Sequence, residues 1–162
     1  MKVLAIDPGP EISAYVLWDG EEIIEKEILA NSFVLSAFDR LKNIADRLAI
    51  EQIKCYGMVV SDSILDTIFW TGRFCENWFA KGGRFERVPR MDVKMHLCHN
   101  SRAKDGNIIQ ALKDRFEPGL LPRQRPKGVL KGLKDDLWQA MALAVTFWDN
   151  DNLEDDKDRV GK

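Results

Sequence analysis

The run Val3-Leu4-Ala5-Ile6 passes directly into Asp7, and Pro8-Gly9-Pro10 stops the segment at once. Four successive apolar residues bounded by a forced turn read as a strand buried on both faces. A carboxylate at the end of such a strand is costly unless something compensates it. The fold must therefore bring Asp7 to a turn that it caps or to a cation that it holds. The pattern recurs at Arg47-Leu48-Ala49-Ile50-Glu51, a second short apolar run that ends on a carboxylate, with Tyr56-Gly57 breaking the chain soon after.

Residues 2–7, 12–18 and 21–28 are read as three short strands, the last two joined by the tight turn in Trp18-Asp19-Gly20-Glu21-Glu22. Phe33, Val34, Phe38, Leu41 and Ile44 or Ala45 recur at helical spacing and predict a helix over 33–46. A strand ending in Glu51 follows, then a long helix over about 59–80 with Ile64, Leu65, Ile68, Phe69 and Phe79. A strand at 84–88 and helices at 90–98 and 103–116 come next. Residues 117–132 hold three prolines and three glycines and predict a mobile basic loop. The last predicted helix runs from Asp135 to Trp148. The acidic remainder, 149–162, has little to bury and is expected to be disordered. This order implies an α/β layer fold with a mixed five-stranded sheet flanked by helices, one domain over 1–148.

A chain of 162 residues suffices for one good core. No apolar run approaches the ~18 residues of a membrane span, and the N-terminal run is too short for a signal segment. A cytoplasmic location is expected. Cys55, Cys75 and Cys98 form no C-x-x-C pair, which favours reduced thiols over a disulfide frame. Net charge is −2, but it divides unevenly: −6 over residues 1–72, +9 over 73–134 and −5 over 135–162. A basic block inside a near-neutral chain suits a polyanion partner, although acidic neighbours in space could equally balance it.

If the strands ending in Asp7 and Glu51 are parallel neighbours, with the 33–46 helix as crossover, both carboxylates emerge at the sheet edge where open α/β sheets place ligands. A third acid comes from the last helix. Asp136 heads the apolar row Ala140, Leu143 and Phe147 and is expected to face inward, whereas Asp135 heads the more polar row Gln139, Ala142 and Thr146. One such acid would serve as an N-cap. Three at one sheet end, without paired histidines, point to hard cations, Mg²⁺ or Mn²⁺. Acid clusters holding two such ions hydrolyse phosphodiesters in line.

The segments AIDPGPEISAY, LAIEQIKCYGM, VKMHLCHNSRAKDGNI and KDDLWQAMALAVT, in this order over residues 2–147, resemble the RuvC-type Holliday junction resolvases of the RNase H-like superfamily, with the phage-type branch closest. The resemblance implies a homodimer that makes two symmetric, metal-dependent nicks in a four-way DNA junction, with two ions in each site. It assigns catalytic, metal-holding roles to Asp7, Glu51 and Asp136. Where bacterial members carry a further Asp three residues after the last of these, this chain has Gln139, so Asp135, water or a DNA phosphate is left to complete the coordination. Lys94, Arg102 and Lys104 fall where the family has lysines close to the scissile strand, and Lys94 and Lys104 are counted as catalytic candidates. Arg84, Arg87, Arg90, Arg123, Arg125, Lys127 and Lys131 would join them in holding DNA arms through sequence-independent charge.

His96, Cys98 and His99 look like zinc ligands, but no second cluster completes a tetrahedron, so packing at a helix end is the better reading. Phe69 or Phe74 could present a ring to a base, although helical spacing favours core or dimer packing. The 59–80 helix carries more than one apolar stripe, including Trp70, Trp78 and Phe79, and the surplus implies a subunit contact. The rivals are an RNase H-like nuclease for other branched or hybrid nucleic acids and a binding-only member of the fold. An actin-like or kinase-like phosphate binder would need a duplicated domain for which the chain leaves no room.

Overall fold

The computed structural model describes residues 1–55, 57 and 59–160, with residues 152–160 described by backbone alone. Five strands, β1 (Val3–Asp7), β2 (Ile12–Trp18), β3 (Ile23–Ala30), β4 (Arg47–Gln52) and β5 (Arg84–Pro89), form one sheet. Its order is β3-β2-β1-β4-β5. The first three strands meander antiparallel, whereas β4 pairs with β1 and β5 with β4 in parallel. The helices are α1 (Asn31–Leu41), α2 (Asp62–Ala80), α3 (Arg90–Cys98), α4 (Asp105–Phe116) and α5 (Leu137–Val160). The α/β class and the mixed five-stranded sheet are those expected from the sequence.

Side chains alternate between two cores with the period of a strand. Leu4, Ile6, Tyr15, Leu17, Leu48 and Ile50 pack on one face with Val34, Phe38 and Leu41 of α1 and with Phe74 and Trp78 of α2. Phe38 meets Trp78 edge to face, with ring centroids 5.4 Å apart. Each such fully buried large side chain contributes about 1.5–3 kcal/mol. Val3, Ala5, Ala14, Val16 and Ala49 take the opposite face, together with Met141, Ala144 and Val145 of α5. The three alanines leave room for that helix on the middle of the sheet. Residues 140–147 of α5 are all buried, because α3 and α4 cover its far side.

Boundaries differ from the sequence reading where local chemistry intervenes. α2 starts at Asp62 and not near 59, because the Ser61 hydroxyl caps it by accepting from the Ile64 N–H at 3.3 Å. α1 stops at Leu41, and the backbone turns through Asn43 and Ile44 before β4. The last helix continues past Trp148 to Val160, so the backbone expected to be disordered from residue 149 is helical. Asp149 helps to hold that extension: it takes the Arg115 guanidinium in a fork at 2.5 and 2.9 Å and His96 Nε2 at 2.7 Å.

Residues 117–134 contain neither helix nor strand, yet they are tied down where mobility was expected. The buried Lys113 ammonium donates to the carbonyls of Pro122 and Gln124 at 2.7 and 3.0 Å. The Glu117 carboxylate accepts from the backbone N–H groups of Lys127 and Gly128. Leu130 and Leu133 enter the core below. Among the described residues no helix is long and apolar enough to cross a membrane.

Candidate active site

The parallel register sets Ile6 of β1 against Ile50 of β4, so the next residues, Asp7 and Glu51, emerge level with each other. Alternation gives both the face on which α5 lies, the face of Ala5 and Ala49. The Glu51 carboxylate is thereby a direct electrostatic neighbour of Asp7. Burial foremost, then the Glu51 charge and, more weakly, Asp136, push the Asp7 carboxyl up to about 8, with the Arg90 charge opposing them.

Asp136 is present but placed otherwise than expected. α5 begins at Leu137, and the Asp136 carbonyl accepts from the Gln139 and Ala140 N–H groups, each at 3.0 Å. The residue thus precedes the first helical turn, where row logic does not apply, and it is exposed instead of turned inward. It still lies close enough to act on Asp7. Asp135 is exposed in the same turn with φ 45°, and Gln139 is half-buried. Among the described residues, no group of three His, Cys, Asp or Glu side chains is gathered tightly enough to hold a metal ion. Asp7 and Glu51 stand level at the ends of paired strands, and Asp136 lies within electrostatic reach of Asp7. Hard oxygen donors carrying more negative charge than their surroundings neutralise are nonetheless the donor set that suits Mg²⁺ or Mn²⁺.

A small hydrogen-bond network shapes the turn after Asp7. The Gly9 N–H donates to the Ser13 hydroxyl at 3.1 Å, which donates to Asn31 Oδ1, and Asn31 Nδ2 returns to the Gly9 carbonyl at 3.0 Å. A Cβ on Gly9 would sit 2.2 Å from the Ile12 carbonyl oxygen, so glycine is required there. Neither Ser13 nor Asn31 was distinguishable by pattern, since each is one polar residue beside an apolar run.

Arg90 occupies a place that the sequence did not foretell. Its guanidinium donates to Glu51 Oε2 at 3.0 Å and to Asp105 Oδ1 at 2.7 Å, so it faces carboxylates in place of a free DNA surface. Beside it opens a cleft of about 450 Å³ bounded by Glu51, Lys54, Arg90, Met91, Lys94 and Ser101. Lys94 is thus brought to the acids, half-buried. Arg102 and Lys104 are exposed at the turn into α4, where the Lys104 N–H donates to Asn107 Oδ1. Arg84 and Arg87 are exposed on the edge strand β5, and Arg123, Arg125, Lys127 and Lys131 are exposed on the tied loop.

The remaining candidates resolve by packing. His96 is engaged by Asp149, and His99 ends α3 in the left-handed region at φ 52°. Burial pushes the Cys98 thiol upward, away from the thiolate a zinc site needs. Phe74 is wholly buried against Phe38. Phe69 is 60% exposed and packs edge-on to Trp70, whose ring Arg73 covers at 4.4 Å.

No protein-family model and no curated protein matches the chain. Solved structures do. That of Thermus thermophilus RuvC aligns with a TM-score of 0.63 at 17% identity, covering 90% of this chain and 92% of that one. T. thermophilus RuvC in complex with a Holliday junction substrate aligns with a TM-score of 0.64, at the same identity and coverage. At this identity the likeness is one of architecture, and it shows that the chain adopts the RuvC-like form of the RNase H-like fold.

Proposed function

We propose that this protein is a divalent-metal-dependent endonuclease that resolves four-way DNA junctions as a homodimer, within the phage-type branch of such enzymes. The observation that carries the reading is the meeting of Asp7 and Glu51 at one strand edge, with Asp136 acting on Asp7 from the start of α5. Asp7, Glu51 and Asp136 would hold Mg²⁺ or Mn²⁺, two ions per site by the family resemblance, which supply Lewis acidity toward a scissile phosphodiester and its attacking water. The chain's own groups do the rest. The Gly9–Ser13–Asn31 network fixes the backbone behind Asp7. Lys94, lining the cleft next to Glu51, is placed to meet phosphate charge, and Lys104 lies at the turn beyond it. The exposed Arg84, Arg87, Arg102, Arg123, Arg125, Lys127 and Lys131 supply affinity without base readout. Anchored by Lys113 and Glu117, the loop that carries four of these holds them in place before DNA arrives.

Two symmetric nicks need two sites related by a two-fold axis. On α2, Leu65, Ile68 and Phe69 are 55%, 44% and 60% exposed, an apolar patch that a second copy would cover. Matched junction, flap, RNA–DNA hybrid and duplex substrates, with and without Mg²⁺, test the proposal. Paired, Mg²⁺-dependent cleavage of the junction by the wild type, lost in Asp7→Asn, is the expected result. Preferential cleavage of hybrid or flap would assign another nuclease activity, and cleavage at an undiminished rate by Asp7→Asn would remove the catalytic assignment.

A further inference from the structure

Arg90 is the one basic residue of the predicted DNA surface whose guanidinium is committed to the acids. β5 ends by pairing Val88 with Glu51 and Pro89 with Gln52, so the next residue, Arg90 at the start of α3, is delivered to the edge from which Glu51 emerges. The fork spans two carboxylates on different elements, Glu51 at 3.0 Å and Asp105 at 2.7 Å. Only a planar guanidinium bridges in this way; an ammonium is a point charge. The two anchors differ in setting: the Glu51 side chain is 16% exposed and Asp105 is 64% exposed. One contact is therefore held in a partly desolvated site, and the other remains available at its rim.

We infer that Arg90 is the resident counter-ion of the acid pair: it positions Glu51, competes with a divalent cation for that carboxylate, and is retained by Asp105 when the cation takes Glu51. This rests on the metal-site reading of Asp7 and Glu51. A positive charge within hydrogen-bonding distance of a ligand opposes a dication directly, and it offsets the mutual repulsion of the acids while no dication is bound. Arg90 is thus a positioning residue that sets the cation concentration at which the site loads, a role separate from phosphate binding.

Mn²⁺ titration of the metal-stripped full chain, followed by the electron paramagnetic resonance of free Mn²⁺ and by calorimetry, tests this without reference to cleavage. R90Q should bind Mn²⁺ about five- to tenfold more tightly than wild type, since an opposing charge is gone. R90K, which keeps the charge but not the two-carboxylate fork, should bind Mn²⁺ about two- to threefold more tightly than wild type and less tightly than R90Q. D105N, which deprives the guanidinium of its alternative partner, should bind about threefold more weakly. A folded R90Q with unchanged or weaker binding overturns the inference, as does an R90K that behaves like R90Q. Should R90Q fail to fold, D105N decides, and unaltered affinity there overturns it. Junction cleavage by the wild type together with unchanged Mn²⁺ binding in R90Q removes the counter-ion role and leaves the nuclease reading intact. Absence of both cleavage and Mn²⁺ binding in the wild type removes the two together.

Discussion

The Ser13 hydroxyl donates to Asn31 Oδ1 at 2.6 Å, joining the second strand to the first residue of α1 directly behind Asp7. Both side chains are buried, so deleting one leaves the other's polar group without its partner. Asn31→Leu should cost about 1–3 kcal/mol in urea unfolding and lower junction cleavage more than junction binding. Equal losses in the two assays would show that the network serves stability alone.

Asp7 makes the metal-free protein pH-sensitive. Its folded pKa of about 8 lies far above the ordinary carboxylate range, because burial and Glu51 disfavour the charged form. Between about pH 4 and pH 8 the folded chain therefore holds a proton that the unfolded chain has released. That contribution to stability is fully present below the ordinary carboxylate range and is lost as pH rises through about 8. The melting temperature in chelator should fall from pH 5 to pH 8 and recover on adding Mn²⁺. Asp7→Asn should flatten the profile and melt higher than wild type at pH 8. A wild-type profile that rises over this interval would contradict the assignment.

Truncation separates the two parts of the C-terminal helix. Removing residues 152–162 deletes four acidic and three basic residues and should leave junction affinity unchanged or stronger in fluorescence anisotropy. Asp149→Ala instead breaks the fork with Arg115 and the contact with His96 and should lower the melting temperature by a few degrees. Affinity itself should fall steeply as salt rises from 50 to 200 mM. A flat salt dependence would mean that the basic block only balances neighbouring acids.

For the subunit contact, Phe69→Glu combined with Leu65→Glu places charges on the apolar face of α2. Sedimentation equilibrium at micromolar concentration should show a dimer for the wild type and a monomer for the double variant. A wild type that is monomeric, free and on a junction alike, would exclude the two-fold arrangement.

The sheet was legible because its strands announce themselves: apolar runs such as 3–6 and 47–50 end abruptly at polar or turn residues. Asp7 and Glu51 were legible for the same reason, each being a charge where the strand's own pattern demands none. Asp136 was found as a residue but misplaced, since a one-residue shift in helix start decides whether periodicity applies to it at all. Arg90, Asp149 and Lys113 could not be read in advance. Their partners lie 39, 34 and 9 or 11 residues away, and a lone Arg, Asp or Lys on a helix resembles ordinary solvated charge until the chain has folded. The loop at 117–132 was legible as irregular, but its anchoring was not, because the buried lysine that holds it, Lys113, lies outside it.

The acids at positions 7, 51 and 136 belong to the first strand, the fourth strand and the threshold of the last helix. No contiguous fragment short of nearly the whole chain can bring them together. On the proposed nuclease reading, a ribosome-bound chain that has not yet released residue 136 is an inert one, and so is a protein whose last helix has peeled from the sheet. Cutting power would then be a property of the completed fold alone, which makes cleavage rate a direct gauge of how much of the population is native.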